Sequence, residues 1–548
     1  MLASNGSSLG VNSMRRTLFT ASVLVLVASS AASARVAQPG PTGTATFLIT
    51  GHGWGHGVGM SQYGAYGLAQ KGWPYSRIVL HYYQGTELGA APVSRVRVLM
   101  GSGMKSLKIG SAGNFRVRDG IGVMHEIAAG THTLTPALKL VVDGGTTARV
   151  LPGPLVFQPA GSPLALKRRY RGTIQVDVVN GKLRAVNLVN LEQYLYGVVP
   201  AEVPFTWHPE ALKAQAVAAR SYALATRKTG AFDLYSDTRS QVYLGIDHEK
   251  TSTNAAVDAT AGKVLLYDGK VAKAFFFSTS GGRTASAEDV WGEAVPYLVS
   301  VPDPYDSISP HHKWGPFAFT GAKLAKSLKM PGTVVDLEPE LNSSGRIKTL
   351  NVVGTKRSVS INGNELRRRM GLRSTWFSVG VLSLTAPERP VTFGSRLRLN
   401  GVARGLTQAV LQQRNGSAWQ SLATIKAGEE GAVTAVVKPA VTTFYRLTSG
   451  KALAAPVRVP VASLARLYPA RTPDRLRGYV RPVGLAGANV LIQRQEGVGW
   501  ATVARTTVDA EGNFDAKLQL TTGVYRAWVA SGRGFVAGTT PVLQVSTS

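Results

Sequence analysis

Residues 194–224, YLYGVVPAEVPFTWHPEALKAQAVAARSYAL, constrain the chain more than any other stretch, because three prolines punctuate a segment that then turns into continuous helix formers. Pro200 and Pro204 bracket Ala201, Glu202 and Val203. A fixed φ and a missing N–H at both ends predict a rigid, non-helical turn there. Pro209 suits a first helical position, and residues 211–224 are strong helix formers. Glu202 is therefore expected on a stiffened turn just ahead of a helix, where a carboxylate can be held toward a groove. A capping or first-turn glutamate is the plainer reading of the same position.

The rest of the chain divides by pattern. Residues 35–44 form a Gly/Pro/Thr linker, and residues 45–92 hold the glycine-rich block GHGWGHGVGMSQYGA (51–65) followed by helical stretches over 61–71 and 75–83. Residues 93–188 alternate apolar and polar positions in RVRVLM (95–100), LKLVVDG (138–144) and TIQVDVVNG (173–181), a strand pattern with polar turns. Residues 189–380 carry the helix after Glu202, a shorter helix over 251–261 and strands over 263–278. Beyond residue 385 two units repeat: LQQRNGSAW (411–419) resembles IQRQEGVGW (492–500) at an offset of 81, and Gly431 and Gly512 keep that offset. The units, 385–463 and 464–548, read as tandem β-sandwich modules of immunoglobulin or fibronectin type. The expected fold is an α+β catalytic core with an inserted β-rich subdomain and two all-β modules behind it. Attachment to a wall or partner and a ligand-free spacer are both open readings of those modules.

Met14-Arg15-Arg16, the apolar run 18–28 and Ala32-Ser33-Ala34 make a secretory signal over residues 1–34, which predicts cleavage after Ala34 and export. No cysteine is present, so thiolate chemistry and disulfides are excluded and packing alone must stabilise the fold. The net charge of +30 would suggest nucleic acid in a cytoplasmic protein. With export, an anionic cell wall, through its anionic wall polymers, or a membrane surface becomes the expected partner in place of nucleic acid; solvated basic faces explain the same charge.

Further long motifs follow: QVYLG (241–245), FFFSTSGGRTASAEDVWG (275–292), PYL (296–298) and GNELRRRMGLRSTWF (363–377). Together with residues 51–88 and 194–224, these blocks make the chain similar to the SpoIID/LytB family, the stage II sporulation protein D and amidase-enhancer group, from about residue 45 to about residue 380. Two departures stand out. The glycine-rich block, which in the family order follows the GLRST motif, here precedes everything else, so the chain reads as a circular permutation. Residues 51–88 are then expected to dock beside Glu202 from the opposite end of the core. Val203 also stands where the family often has methionine.

The resemblance implies a lytic transglycosylase that cuts the bond between N-acetylmuramic acid and N-acetylglucosamine in peptidoglycan glycan strands. Glu202 would be its single acid and base, yielding a 1,6-anhydro product. The non-enzymatic alternatives are a glycan-binding enhancer of a cell-wall amidase and a wall scaffold. Acid chemistry near neutral pH requires a raised Glu202 pKa, expected from apolar neighbours such as Val203 and Phe205. Lys213, Arg220 and Arg227 recur every seven residues, either as a solvent stripe or as groove groups. The expected substrate-binding set is Lys213, Gln215, Arg220, Tyr222, Gln241, Ser278, Ser280, Gly281, Gly282, His56, Gln62 and Tyr63. His52 and His56 lack the companions of a metal site, and no metal or cofactor is expected.

Overall fold

The computed structural model describes residues 45–547 other than Thr407. The expected signal sequence, 1–34, and the linker, 35–44, lie outside the described residues. Strands dominate, as the alternating patterns indicate.

The segment that leads into the glycine-rich block enters the fold as an interior strand. Thr46–His52 pairs antiparallel with Lys313–Thr320 on one side and Phe377–Leu384 on the other. The same sheet continues through Leu397–Arg404 to Ala432–Val437, so it crosses residue 385 without a break. Phe47 and Ile49 point into one fully buried core, while Leu48 joins the core under the first tail unit, as period-two alternation requires.

Residues 93–190 supply six strands of a seven-stranded sheet, in which Arg95–Met104, Lys182–Asn190 and Thr173–Val179 lie side by side and Leu234–Tyr235 adds the seventh, parallel to Arg95–Met104, and they also build a four-stranded sheet packed on the same core. LKLVVDG departs from its pattern. Only Lys139–Leu140 is a strand, pairing with Arg149–Val150, and Leu138 and Asp143 adopt left-handed φ of 50° and 56°. Leu138, Leu140 and Val142 are nonetheless buried, so the alternation reports side-chain burial without a full ladder beside it.

Four helices hold the candidate site: α1 (Gln62–Gln70), α2 (Tyr75–Tyr82), α3 (Leu191–Glu202) and α4 (Pro209–Ala225). Pro209 takes the first helical position of α4, and the His208 side chain caps it by accepting from the Glu210 N–H at 3.3 Å. Helix α4 is buried nearly all round, with α1 and α2 on one side and α3 on the other. Its small alanines, 211, 214, 216, 218, 219 and 223, are all buried and let three helices approach it closely.

The two tail units repeat one hairpin: Ala409–Asn415 with Ala418–Ile425, then Asn489–Glu496 with Gly499–Thr507. In the second unit Leu464–Pro469 and Arg475–Arg481 close a core against the hairpin sheet, around the buried Tyr525.

Candidate functional site

Glu202 is not on a non-helical turn. It is the last residue of α3, and Pro200 lies inside the final turn of that helix. Proline's φ near −65° is a helical value, so Pro200 permits the helix to run two residues further. Pro204 is what ends it: Val203 is forced extended, at φ −137° and ψ 150°. The Glu202 backbone carbonyl is one of the helix's unpaired C-terminal acceptors, and Gln62 Nε2 donates to it at 3.3 Å. The same Nε2 lies 3.4 Å from Gln215 Oε1 on α4. Residues from the permuted block, α3 and α4 thus meet at one point.

A cavity of about 250 Å³ opens there, lined by Trp54, Gln62, Tyr63, Glu202, Pro204, Trp207, Ser278 and His311. Glu202 is the sole carboxylic acid in this lining, and burial pushes its pKa up to about 7. Among the described residues no donor reaches its carboxyl oxygens, and no cation offsets the burial. Phe205 does not supply the apolar cover expected of it, since its ring is exposed, whereas Val203 is buried. Tyr222 and Tyr194 stand near the acid; burial and then the Glu202 charge raise the Tyr222 hydroxyl pKa, and burial, then Tyr243, then the Glu202 charge raise that of Tyr194. A carboxyl group raised by burial binds its proton more tightly in the folded state, so stability present at low pH is lost as pH rises through about 7. Glu202→Gln removes that loss. We expect the variant to be more stable than the parent by up to about 3 kcal/mol at pH 8 and by far less at pH 4.5, in urea unfolding at the two pH values.

Aromatic rings wall the cavity. Trp207 stacks on Tyr66 with centroids 4.7 Å apart and receives the Tyr63 edge at 4.9 Å. Trp54 is 43% exposed and packs edge-on to His311 at 4.4 Å. Arg373, from the GLRST motif, lies 5.3 Å from the Trp54 ring centre and its guanidinium is 2.7 Å from His311 Nδ1. An arginine can only donate, so Nδ1 is the acceptor and neutral His311 carries its proton on Nε2. Burial and the Arg373 charge both lower the His311 pKa. Trp54, Pro204, Trp207, His311 and Arg373 were not among the expected site residues. Trp54, Trp207 and Arg373 lie within the matched motifs, and no local spacing distinguishes His311.

Of the expected set, Gln62, Tyr63 and Ser278 line the cavity beside Glu202, and Gln215 and Tyr222 stand behind it. The others fall elsewhere. Lys213 pairs within α4 with Glu210 at 2.7 Å, and Glu210 in turn accepts from the Tyr75 N–H, which ties α4 to α2. Arg220 is fully buried, ion-paired with Glu192 of α3, and donates to the Lys263 and Val257 carbonyls. Gln241 is buried between the Tyr194 hydroxyl and the Ala219 carbonyl. His56 packs its ring on Phe277 and Trp291 at 5.5 Å, away from the cavity lining, and burial lowers its pKa to about 4.

Ser280, Gly281 and Gly282 also leave the cavity. The backbone N–H groups of Ser280 and Gly281 donate to the buried Asp306 carboxylate at 3.0 and 2.8 Å, and the Ser280 hydroxyl accepts from the Gly282 N–H. Asp306 further accepts from the Ser61 hydroxyl, the cap of α1, and pairs with His312 at 2.9 Å. One buried carboxylate thereby fastens the segments that carry Gln62, Ser278 and His311. Gly59 shows how tightly the permuted block is held: at φ +80° a Cβ would lie 2.1 Å from the Phe275 carbonyl. Gly59→Ala is expected to cost about 2 kcal/mol or more, read as a lowered melting temperature.

The family model described as stage II sporulation protein, SpoIID, matches residues 179–267, which contain α3, Glu202 and α4. The stage II sporulation protein D of Bacillus subtilis is 34% identical over 225 residues, covering 37% of this chain and 64% of that protein. The amidase enhancer of Bacillus subtilis is 45% identical over 112 residues, covering 20% of this chain and 15% of that protein. An uncharacterized protein of Brachyspira hyodysenteriae is 43% identical over 136 residues, covering 24% of this chain and 37% of its own. The chain therefore spans less than two thirds of the length of these relatives.

Proposed function

This chain belongs to the SpoIID/LytB family, and from that premise we propose that it is a secreted lytic transglycosylase of peptidoglycan glycan strands. In this reading protonated Glu202 donates to the oxygen linking N-acetylmuramic acid to N-acetylglucosamine, and the bond from that oxygen to the muramoyl C1 breaks. The carboxylate so formed takes the proton of the muramoyl C6 hydroxyl, whose oxygen closes on C1. The product is a 1,6-anhydro end, Glu202 is protonated again, and no water is consumed.

One observation carries the reading: a single carboxylic acid, with its pKa near 7, in a cavity walled by Trp54, Tyr63 and Trp207. A hydrolase would place a second carboxylate about 5 to 9.5 Å from the first. The lining contains none. A carboxyl group raised by burial to about 7 suits one group that must give and then take a proton. The aromatic rings offer apolar faces to sugar rings.

Export, cell-wall association and an immunoglobulin or fibronectin type for the tail modules belong to the same proposal. The relative named amidase enhancer supports a second reading, in which the domain binds glycan and stimulates a wall amidase without cutting it. Mass analysis of purified glycan strands, with and without stem peptides, separates the readings. Anhydro-muramoyl ends made by the parent and not by Glu202→Gln are the expected result. Reducing ends would mean hydrolysis, and retained binding without any new ends would favour the enhancer.

A further inference from the structure

Two surface clusters in the tail repeat each other side chain for side chain. In the first unit the Arg446 guanidinium lies 4.1 Å over the Trp419 ring, and its ε N–H donates to Gln412 Oε1 at 2.9 Å. In the second, Arg526 lies 4.1 Å over Trp500 and donates to Gln493 Oε1 at 2.8 Å. Gln412 and Arg446 are cross-strand partners, as are Gln493 and Arg526. Other positions shared by the two units have structural reasons. Tyr445 and Tyr525 fill the cores, and Gly416, Gly497, Gly431 and Gly512 adopt left-handed turns. The six triad side chains are only half-buried, at the surface of the hairpin sheets.

The triads share an unusual electrostatic state. Burial lowers the pKa of both guanidinium groups, which means that the charge is held at a cost. Among the described residues no carboxylate pairs with either arginine, and the ε N–H is the one donor with a protein acceptor. The two terminal amino groups of each therefore form a free fork. Stacking on indole and the glutamine bond hold that fork in one orientation, so little side-chain entropy remains to be lost on binding.

We propose that the triads Gln412–Trp419–Arg446 and Gln493–Trp500–Arg526 are two equivalent phosphate-binding sites, which together hold a linear polymer bearing one phosphate per repeat. A guanidinium fork matches two oxygens of a phosphodiester, and each repeat of such a polymer offers that pair without needing a chain end. Residues 385–548 carry 20 lysines and arginines against eight acids, so the field around both forks favours a polyanion. Occupying two sites with one strand multiplies affinity through effective concentration.

The test uses the full chain and a long glycerol-phosphate oligomer, followed by tryptophan fluorescence and calorimetry, with the glycerol-phosphate monomer as a second probe. The expected result is binding of the oligomer at least about a hundredfold tighter than the monomer. Arg446→Lys or Arg526→Lys keeps the charge and loses the fork, and each should weaken oligomer binding several-fold. Both together should reduce it to the monomer level, with unchanged melting temperature. The proposal is overturned if the double lysine variant binds like the parent, or if exchanging the exposed Arg396 and Arg398 for lysine weakens binding equally. Equal binding of polyglutamate would overturn the phosphate assignment. The oligomer has no glycosidic bond, so none of these outcomes bears on Glu202.

Discussion

Glu202→Gln is expected to lower the rate of glycan cleavage by about three orders of magnitude, within the range that a positioned general acid contributes, while leaving binding of intact strands within a few-fold of the parent. The asymmetry follows from the geometry. Glutamine preserves the shape of the side chain and the backbone carbonyl that accepts from Gln62, and it removes just the transferable proton. The pH profile gives a second, independent reading. With a pKa raised to about 7, the acid form is present below that value and is lost above it. Cleavage by the parent should fall about tenfold per pH unit on the alkaline side of 7. An alkaline limb that begins instead near the ordinary carboxylate range would show that Glu202 is hydrated during turnover and would remove the basis for assigning it as the acid. Strand cleavage that survives in Glu202→Gln would remove the assignment altogether.

How much of this site can be read in the chain depends on whether the cause is local. Helix α4 follows directly from Pro209 and the alanine-rich run, and the helix over 62–70 falls within the helical stretch expected over 61–71, with the caps His208 and Ser61 added by the structure. The placement of the permuted block beside Glu202 was an expectation from motif order, and the Gln62 contact with the Glu202 carbonyl is its structural counterpart. The serine and glycine run at 280–282 is legible as a place of close approach, but the approach is made by Asp306, a residue with no local signature. Trp207 enters the cavity because α1 delivers Tyr63 and Tyr66 against it from a segment about 140 residues earlier. His311 becomes a fixed donor through Arg373, which is 62 residues away in the chain. Seven-residue spacing placed Lys213 and Arg220 on one face of α4, and that is correct as geometry. What it cannot reveal is that α4 has almost no solvent face, because that depends on the helices and strands that surround it.

The second large effect is therefore a structural one at a position that the family resemblance placed in the substrate-binding set. The fully buried Arg220 donates through its ε nitrogen to both Glu192 oxygens at 3.1 and 3.2 Å and through a terminal nitrogen to the same carboxylate. Glu192 also accepts from the Gly262 N–H at 3.0 Å, and its side chain is 20% exposed. Removing the two partners should thus be unequal. Glu192→Met leaves a guanidinium with no access to water and no counter-charge, and is expected to cost about 3 to 5 kcal/mol. Arg220→Met leaves a carboxylate that keeps the Gly262 donor and can reach water, so it is expected to cost less, about 2 to 3 kcal/mol. The double replacement puts apolar side chains in both places and should be far milder than the sum, with a coupling of at least about 1 kcal/mol in urea unfolding. Additive losses would mean that the charges do not sense each other. The consequence reaches Glu202 because Glu192 lies in the first turn of α3 and Glu202 ends it, so the pair fixes the helix that carries the acid against the helix that carries Gln215. In the single variants cleavage should fall in step with the folded fraction and the alkaline limb near pH 7 should persist, whereas a shift of that limb would show that the pair also sets the position of the acid.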